Sequence, residues 1–267
     1  MLIFSDENPE ESSKCLPSLY CMFLNTQGRV MFDTFIIKKS PSLYFIDCDN
    51  ATKGHLAKHL KLHKVRRKLV IEVIPDCKIG VVFDTEHPVE EMKDSSVECY
   101  KDSRMNHLGY RVINPSSDFQ DDSEEFVKHR YSLGICEGSK EVPLGKCTPL
   151  EYNVEYMHGV SFHKGCYIGQ ELTARTHHTG VIRKRIVPVE LSSDEIEVKD
   201  EMLDVRNEGK KKVGKICATQ GKIGLGLMRI EDCLKAEKLS LSDKDVSVKF
   251  QIPEWWPITA PKTPQNR

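Results

Sequence analysis

The sequence predicts an α+β fold that ends in a separate all-β module, and three observations carry that expectation. β-rich and helical runs alternate in the order β-β-β-α-β-β over residues 20–83, which points to an antiparallel sheet layered with helix. Helical signals dominate residues 123–157. From residue 185 the pattern changes to short β-rich runs at 185–191, 208–219, 222–227 and 246–252, separated by Gly, Asn and Asp turns, a small all-β module of roughly 80 residues.

Residues 20–24 and 30–37 are apolar and β-rich, and Asn25-Thr26-Gln27-Gly28 between them reads as the turn of a hairpin. A third strand is expected at 42–48. Asp49 or Asn50 then caps a helix over 51–65, with Leu56 and Leu60, four apart, on its buried side. Two more strands are expected at 68–74 and 79–83, joined by Pro75-Asp76-Cys77-Lys78. Residues 87–96 read as a loop and 108–113 as a strand. A helix is expected over 123–133, opened by Ser123 and the acidic residues behind it, then a shorter helix over 148–157 and an extended tail over 253–267.

Charge is balanced, with 39 Lys and Arg against 40 Asp and Glu and a net charge of −1, so the chain has no global field for nucleic acid or an anionic membrane. No apolar run approaches the ~20 residues a bilayer-spanning helix needs. The acidic, polar start is unlike a secretory signal or an Arg-rich presequence, and the expectation is a chain without a targeting segment. Ten cysteines with no CxxC pair favour free thiols in a reducing compartment. The cationic stretch Lys58, Lys61, Lys64, Arg66, Arg67 and Lys68 reads as a solvated helix face and its exit rather than a nucleic-acid patch, because no aromatic platform is interleaved. Neither GxxxxGK[ST] nor GxGxxG occurs, which disfavours nucleotide chemistry.

Reactive residues concentrate in His163-Lys164-Gly165-Cys166-Tyr167-Ile168-Gly169-Gln170-Glu171. Gly165 and Gly169 permit a tight turn that presents Cys166, and Lys164 beside the thiol favours the thiolate that a nucleophile or a metal centre requires. The alternative is a buried cysteine in a Gly-containing strand. Downstream, His177 and His178 are either further metal ligands with Cys166, for zinc or an iron–sulfur centre, or part of a polar turn. These do not complete a site, so a cluster here needs ligands from a partner or a small molecule.

The run from Lys164 to Glu171 resembles the signature of the YgfZ-type proteins, a branch of the folate-binding superfamily that includes the glycine-cleavage T-protein. Residues 159–185, the Phe23-Leu24-Asn25-Thr26-Gln27-Gly28-Arg29 run and the C-terminal Pro253-Glu254-Trp255-Trp256-Pro257 are similar to its mitochondrial branch, the transferase-like iron–sulfur cluster assembly factors. The resemblance implies a GcvT-like folate-binding fold of interleaved α/β sheet portions around a central opening, with a C-terminal β-barrel. Its portions would span residues 1–104, 105–180 and 181–267. It implies work in the mitochondrial matrix with A-type iron–sulfur scaffold proteins, making [4Fe–4S] clusters for lipoate synthase and aconitase-type client apoproteins, and an assembly factor rather than a turnover enzyme. Neither a nucleic-acid partner nor a membrane span is expected.

The implied cofactor-binding residues are Asn25, Arg29, Asp33, Glu151, Lys164, Gly165 and Gln170, and the implied metal ligands are Cys166, His177 and His178. The iron–sulfur cluster would be shared transiently with a partner, and tetrahydrofolate is the second candidate ligand, held by Asp33 and Glu151 facing one opening. Two departures accompany the resemblance. The additional strand and helix that family members carry ahead of the hairpin are replaced by a short polar stretch, so the chain is expected to be truncated at its start. Phe32-Asp33 stands where the T-protein has paired acidic residues, which makes folate-dependent aminomethyl or one-carbon transfer the alternative rather than the leading function.

Overall fold

The computed structural model describes residues 15–83, 98–115, 122–180, 182–199, 201–242 and 245–257. The loop expected at 87–96 and the start and end of the chain lie outside the described residues.

After a short β1 (Cys15–Leu16), strands β2 (Ser18–Leu24), β3 (Val30–Ser40) and β4 (Leu43–Cys48) form an antiparallel meander in that order. The turn is set by local chemistry: the Asn25 Oδ1 accepts the backbone N–H groups of Gln27 and Arg29 at 3.0 and 2.9 Å. Helix α1 (Lys53–His63) follows Thr52, whose side chain makes no capping bond. The expected cap, Asp49, instead takes the N–H of Ala51 upstream of the helix. Of the two leucines expected on the inner face, Leu56 is buried and Leu60 half-buried.

A second sheet combines β1 with β5 (Ile79–Val82), β6 (Cys99–Lys101) and β7 (Tyr110–Ile113) in the order β1-β6-β7-β5. The strand expected over 68–74 is not there. Those residues carry no ladder among the described residues, and Leu69, Val70, Val73 and Ile74 are exposed. β-branched residues favour a pleated, half-buried surface, and without a neighbouring strand that preference has nothing to act on.

Helices α2 (Ser123–Ser132), α3 (Gly138–Glu141) and α4 (Gln170–Thr179) follow. The helix expected over 148–157 is a single 3₁₀ turn, Leu150–Tyr152, ended by the left-handed Asn153. The barrel contains β8 (Lys184–Leu191), β9 (Leu203–Asn207), β10 (Lys212–Gln220), β11 (Ile223–Arg229), helix α5 (Ile230–Lys235), β12 (Leu239–Leu241) and β13 (Val248–Phe250), in the order β12-β9-β10-β11-β8-β13. A Ser240–Ser247 bridge brings the outer strands together, so the sheet closes on a core of Val187, Val205, Ile216 and Met228. Of the expected tail only residues 253–257 are described, and they pack onto the fold: Trp256 is buried, and the Trp255 indole N–H reaches the Leu133 carbonyl at the end of α2. Among the described residues no helix is long and apolar enough to cross a membrane.

Buried ion pairs join the two N-terminal sheets. Arg104 is fully buried; it bonds Asp102 through Nε and Nη2, and Nη2 also reaches Glu137. Arg111 on β7 meets Asp47 on β4, Asp102 and Glu137. Phe35 of β3 lies under both guanidinium groups, 5.0 and 4.4 Å from them. Charges so deeply buried are tolerable only when fully paired, and removing one partner leaves the others uncompensated. Arg104→Met is therefore expected to destabilise the fold by about 3–5 kcal/mol in urea unfolding; a loss below about 1 kcal/mol, the size of an exposed pair, would contradict it.

Candidate functional site

The signature loop is locked to the β2–β3 turn by two glycines. Gly169, at φ +77°, precedes α4, and a Cβ there would lie 2.4 Å from the Asn25 carbonyl oxygen and 2.8 Å from the Gly28 Cα. Gly28, at φ +74°, would in turn press a Cβ to 2.8 Å from the Gly169 carbonyl oxygen and from the Leu172 Cβ. Both positions combine a left-handed backbone with a close approach, which only glycine accommodates without strain. Gly165 has open space around it and ordinary backbone angles, so Gly169, rather than a symmetric pair, shapes the loop.

Above this contact Cys166 is exposed. The Gln170 side chain braces it: its Oε1 accepts the Tyr167 backbone N–H at 3.0 Å, and its Nε2 donates toward the Cys166 Sγ at 3.6 Å. The Lys164 ammonium sits 4.6 Å from the centre of the Tyr167 ring. Of the described thiols, Cys136, Cys147, Cys217 and Cys233 are buried, while Cys77 and Cys166 are exposed. Burial pushes the Cys77 thiol up, helped by Asp47. Cys99 is disulfide-bonded, which departs from the expectation that every thiol is free.

His177 and His178 lie in the last turn of α4, not in a loop beside the thiol. Cys166 precedes the first turn, and the seven residue steps from Gln170 to His177 rise about 10 Å along the helix axis. The structure therefore does not bring Cys166, His177 and His178 into one coordination sphere. His177 is stacked on Phe162 at 3.6 Å between ring centres, and its Nδ1 is 3.1 Å from Glu155, which also pairs with Arg185. Among the described residues no three His, Cys, Asp or Glu side chains converge on a metal-sized site.

Three of the residues expected to hold folate, Asn25, Asp33 and Glu151, accept hydrogen bonds within the chain. Asn25 closes its own turn, and Arg29 follows that turn half-buried at the surface. The Asp33 carboxylate is buried and accepts the Gly138 N–H at 3.1 Å. Glu151 accepts the Thr148 hydroxyl at 2.9 Å. The large cavity, about 2150 Å³, opens between β4, α1, residues 67–83 and α2, with Asp47, Arg111 and Glu137 in its wall. None of Asn25, Arg29, Asp33 or Glu151 lines it.

Sequence reasoning missed Asp47, Asp102, Arg104, Arg111 and Glu137, the charged group around Asp33. No local motif marks them, since each pair except Asp102–Arg104 is separated by 9 to 64 positions. Burial would raise the Glu137 carboxyl, but Arg111 and Arg104 hold it well below the usual carboxylate range. Burial raises Asp33 to about 6, against the pull of the Gly138 N–H and with the help of Glu137.

Residues 183–258 match the family described as CAF17, C-terminal beta-barrel domain. The crystal structure of glycine cleavage system aminomethyltransferase T from Bartonella henselae superimposes with a TM-score of 0.64 at 10% identity, over 90% of this chain and 76% of that one. The fold is thus that of the GcvT-type proteins, α+β with a C-terminal barrel. Within that class, iron-sulfur cluster assembly factor IBA57, mitochondrial, of Mus musculus is 36% identical over 90% of this chain and 73% of its own length. The Homo sapiens protein of the same name is 34% identical over the same shares, and the Mycosarcoma maydis homolog 29% over 91% and 75%. The chain belongs to the IBA57 family.

Asp33 makes a pH-dependent contribution whose sign is fixed. Its folded pKa, about 6, lies above the ordinary 3.8, so the folded chain holds the proton more tightly. The contribution is intact below about pH 4 and is lost as pH rises through about 6, by about 3 kcal/mol in all. Asp33→Asn should therefore gain stability over the natural chain between pH 4 and 7 in urea titrations. A difference that stays constant across that range would contradict the assignment.

Proposed function

We propose that the chain is a mitochondrial iron–sulfur cluster assembly factor, working in the matrix, in which Cys166 ligates a cluster shared transiently with an A-type scaffold protein. The supporting observation is an exposed thiol on a loop fixed by Gly28 and Gly169. Its relatives carry iron–sulfur cluster assembly and the mitochondrion in their names. The clients proposed are [4Fe–4S] apoproteins of the lipoate synthase and aconitase type.

The cluster is cargo, and the chain's own groups act on it in stated ways. Ligation to iron replaces the Cys166 S–H proton. Gln170 holds the sulfur by an N–H donor while anchoring itself to the loop, and hydrogen bonds to cluster sulfur ligands tune stability and potential. A cluster takes about four protein ligands, and no three-ligand group exists among the described residues. That supports a cluster completed by the partner. His177 and His178, at the far end of α4, have no part in this reading, and it needs no tetrahydrofolate. Aminomethyl transfer is not favoured: the 36% and 34% identical relatives are named as assembly factors, while the aminomethyltransferase likeness, at 10% identity, is one of fold.

Anaerobic reconstitution of the chain with an A-type scaffold protein, read by visible absorbance, tests the proposal. A coloured heterocomplex is expected, lost in Cys166→Ser and retained in Cys217→Ser on β10. Colour retained in Cys166→Ser, or full cluster occupancy by the single chain without a thiol cofactor, would overturn it.

A further inference from the structure

The end of α1 and the residues after it expose apolar side chains, of which Leu69 and Val70 also edge the large cavity. Leu62 is 75% exposed, Val65 77% and Val70 84%, with Leu69 beside them at 52%. Single exposed aliphatic side chains are ordinary on protein surfaces, but four within nine positions are a local concentration of exposed apolar surface. Val65 also holds φ +50°, a left-handed conformation that a β-branched residue rarely adopts and that turns the chain out of the helix.

The patch is strongly cationic. Residues 53–74 contain seven Lys or Arg against one Glu, a formal +6 within a chain of net −1. Lys58, Lys61, Arg66, Arg67 and Lys68 are exposed and form no ion pair among the described residues. On α1, Lys58, Lys61 and Leu62 share the face away from the buried Leu56, at the i, i+3, i+4 spacing.

From this arrangement we infer that residues 58–70 form a peripheral docking surface for anionic lipid bilayers. Aliphatic side chains flanked by Lys and Arg suit the boundary between headgroups and acyl chains, where the apolar groups enter and the cations meet lipid phosphates. Other macromolecules suit the patch less well. Single-stranded nucleic acid is held by aromatic stacking platforms, and residues 53–74 contain no Phe, Tyr or Trp. Protein interfaces enrich aromatic residues and deplete Lys, whereas residues 58–70 carry four Lys, two Arg and no Phe, Tyr or Trp. The assignment is independent of Cys166, which lies on another loop.

Flotation of the full chain tests it, with vesicles of phosphatidylcholine alone and vesicles containing about one third phosphatidylglycerol. Binding to the anionic vesicles only is expected, released by about 0.5 M salt, which screens charges beyond a few ångström. Arg66→Gln/Arg67→Gln should weaken binding about thirtyfold, at about 1 kcal/mol for each cation near an anionic surface. Leu62→Ser/Val70→Ser should weaken it at unchanged charge; both doubles alter exposed positions, so folding, followed by circular dichroism, should be preserved. No flotation with the anionic vesicles, or flotation unaffected by either double substitution, would overturn the inference. Binding to a single-stranded RNA oligonucleotide in place of vesicles would overturn it equally.

Discussion

A backbone-to-backbone contact at Gly28 and Gly169 is the constraint on which the site depends. It joins a turn near the start of the chain to the loop ahead of α4, two segments about 140 residues apart. Any side chain at either glycine would meet main-chain atoms that cannot swing aside, so the contact excludes substitution rather than merely disfavouring it. Its consequence is a loop with one registration, and the thiol of Cys166 inherits that registration through Gln170, whose amide spans Tyr167 and the sulfur. On the proposed reading, an exposed thiol on a loop so held would act as a preorganised ligand, needing less ordering when a partner binds.

Beneath the hairpin a second constraint holds the sheets in register with each other. Asp47, Asp102, Arg104, Arg111 and Glu137 come from strand ends and connections of both sheets, and their pairing is compatible with one relative placement of those sheets. Such a network adds little net stability over a well-packed apolar core, but its partial disruption is costly. Asp33 sits beside it with a proton affinity raised by burial. The likeness to the aminomethyltransferase is one of fold, and the chemistry proposed for this chain lies at the exposed Cys166 loop.

Much of the fold was legible in the residues because its signals are local. Asn25 and Gly28 specify their turn within five positions, and β8, β10 and β11 are long enough to show as β-rich runs. What escaped depended on distant neighbours or on brevity. Residues 68–74 have strand composition without a strand beside them, and β9 and β12 are only five and three residues long. The helix α4 is hidden in the sequence because Gly169 also frames a thiol; with Gly180 it marks the two ends of a helix, each in the left-handed conformation. The same helix separates Cys166 from the two histidines, which are near it only in sequence. Cys166 itself was legible, since reactive and permissive residues crowd around it in sequence, whereas the ion network assembles from residues scattered between positions 47 and 137.

The most direct measurement of the central claim is the alkylation rate of Cys166 in the cluster-bearing heterocomplex, compared with that in the free chain and read by mass spectrometry. Cys77, the other exposed free thiol among the described residues, serves as the internal reference. A thiolate bonded to iron is unavailable to the reagent, so Cys166 should be labelled readily in the free chain and protected once the cluster is bound, with Cys77 unchanged. Equal labelling of Cys166 in both states, with the cluster intact by absorbance, would contradict the account.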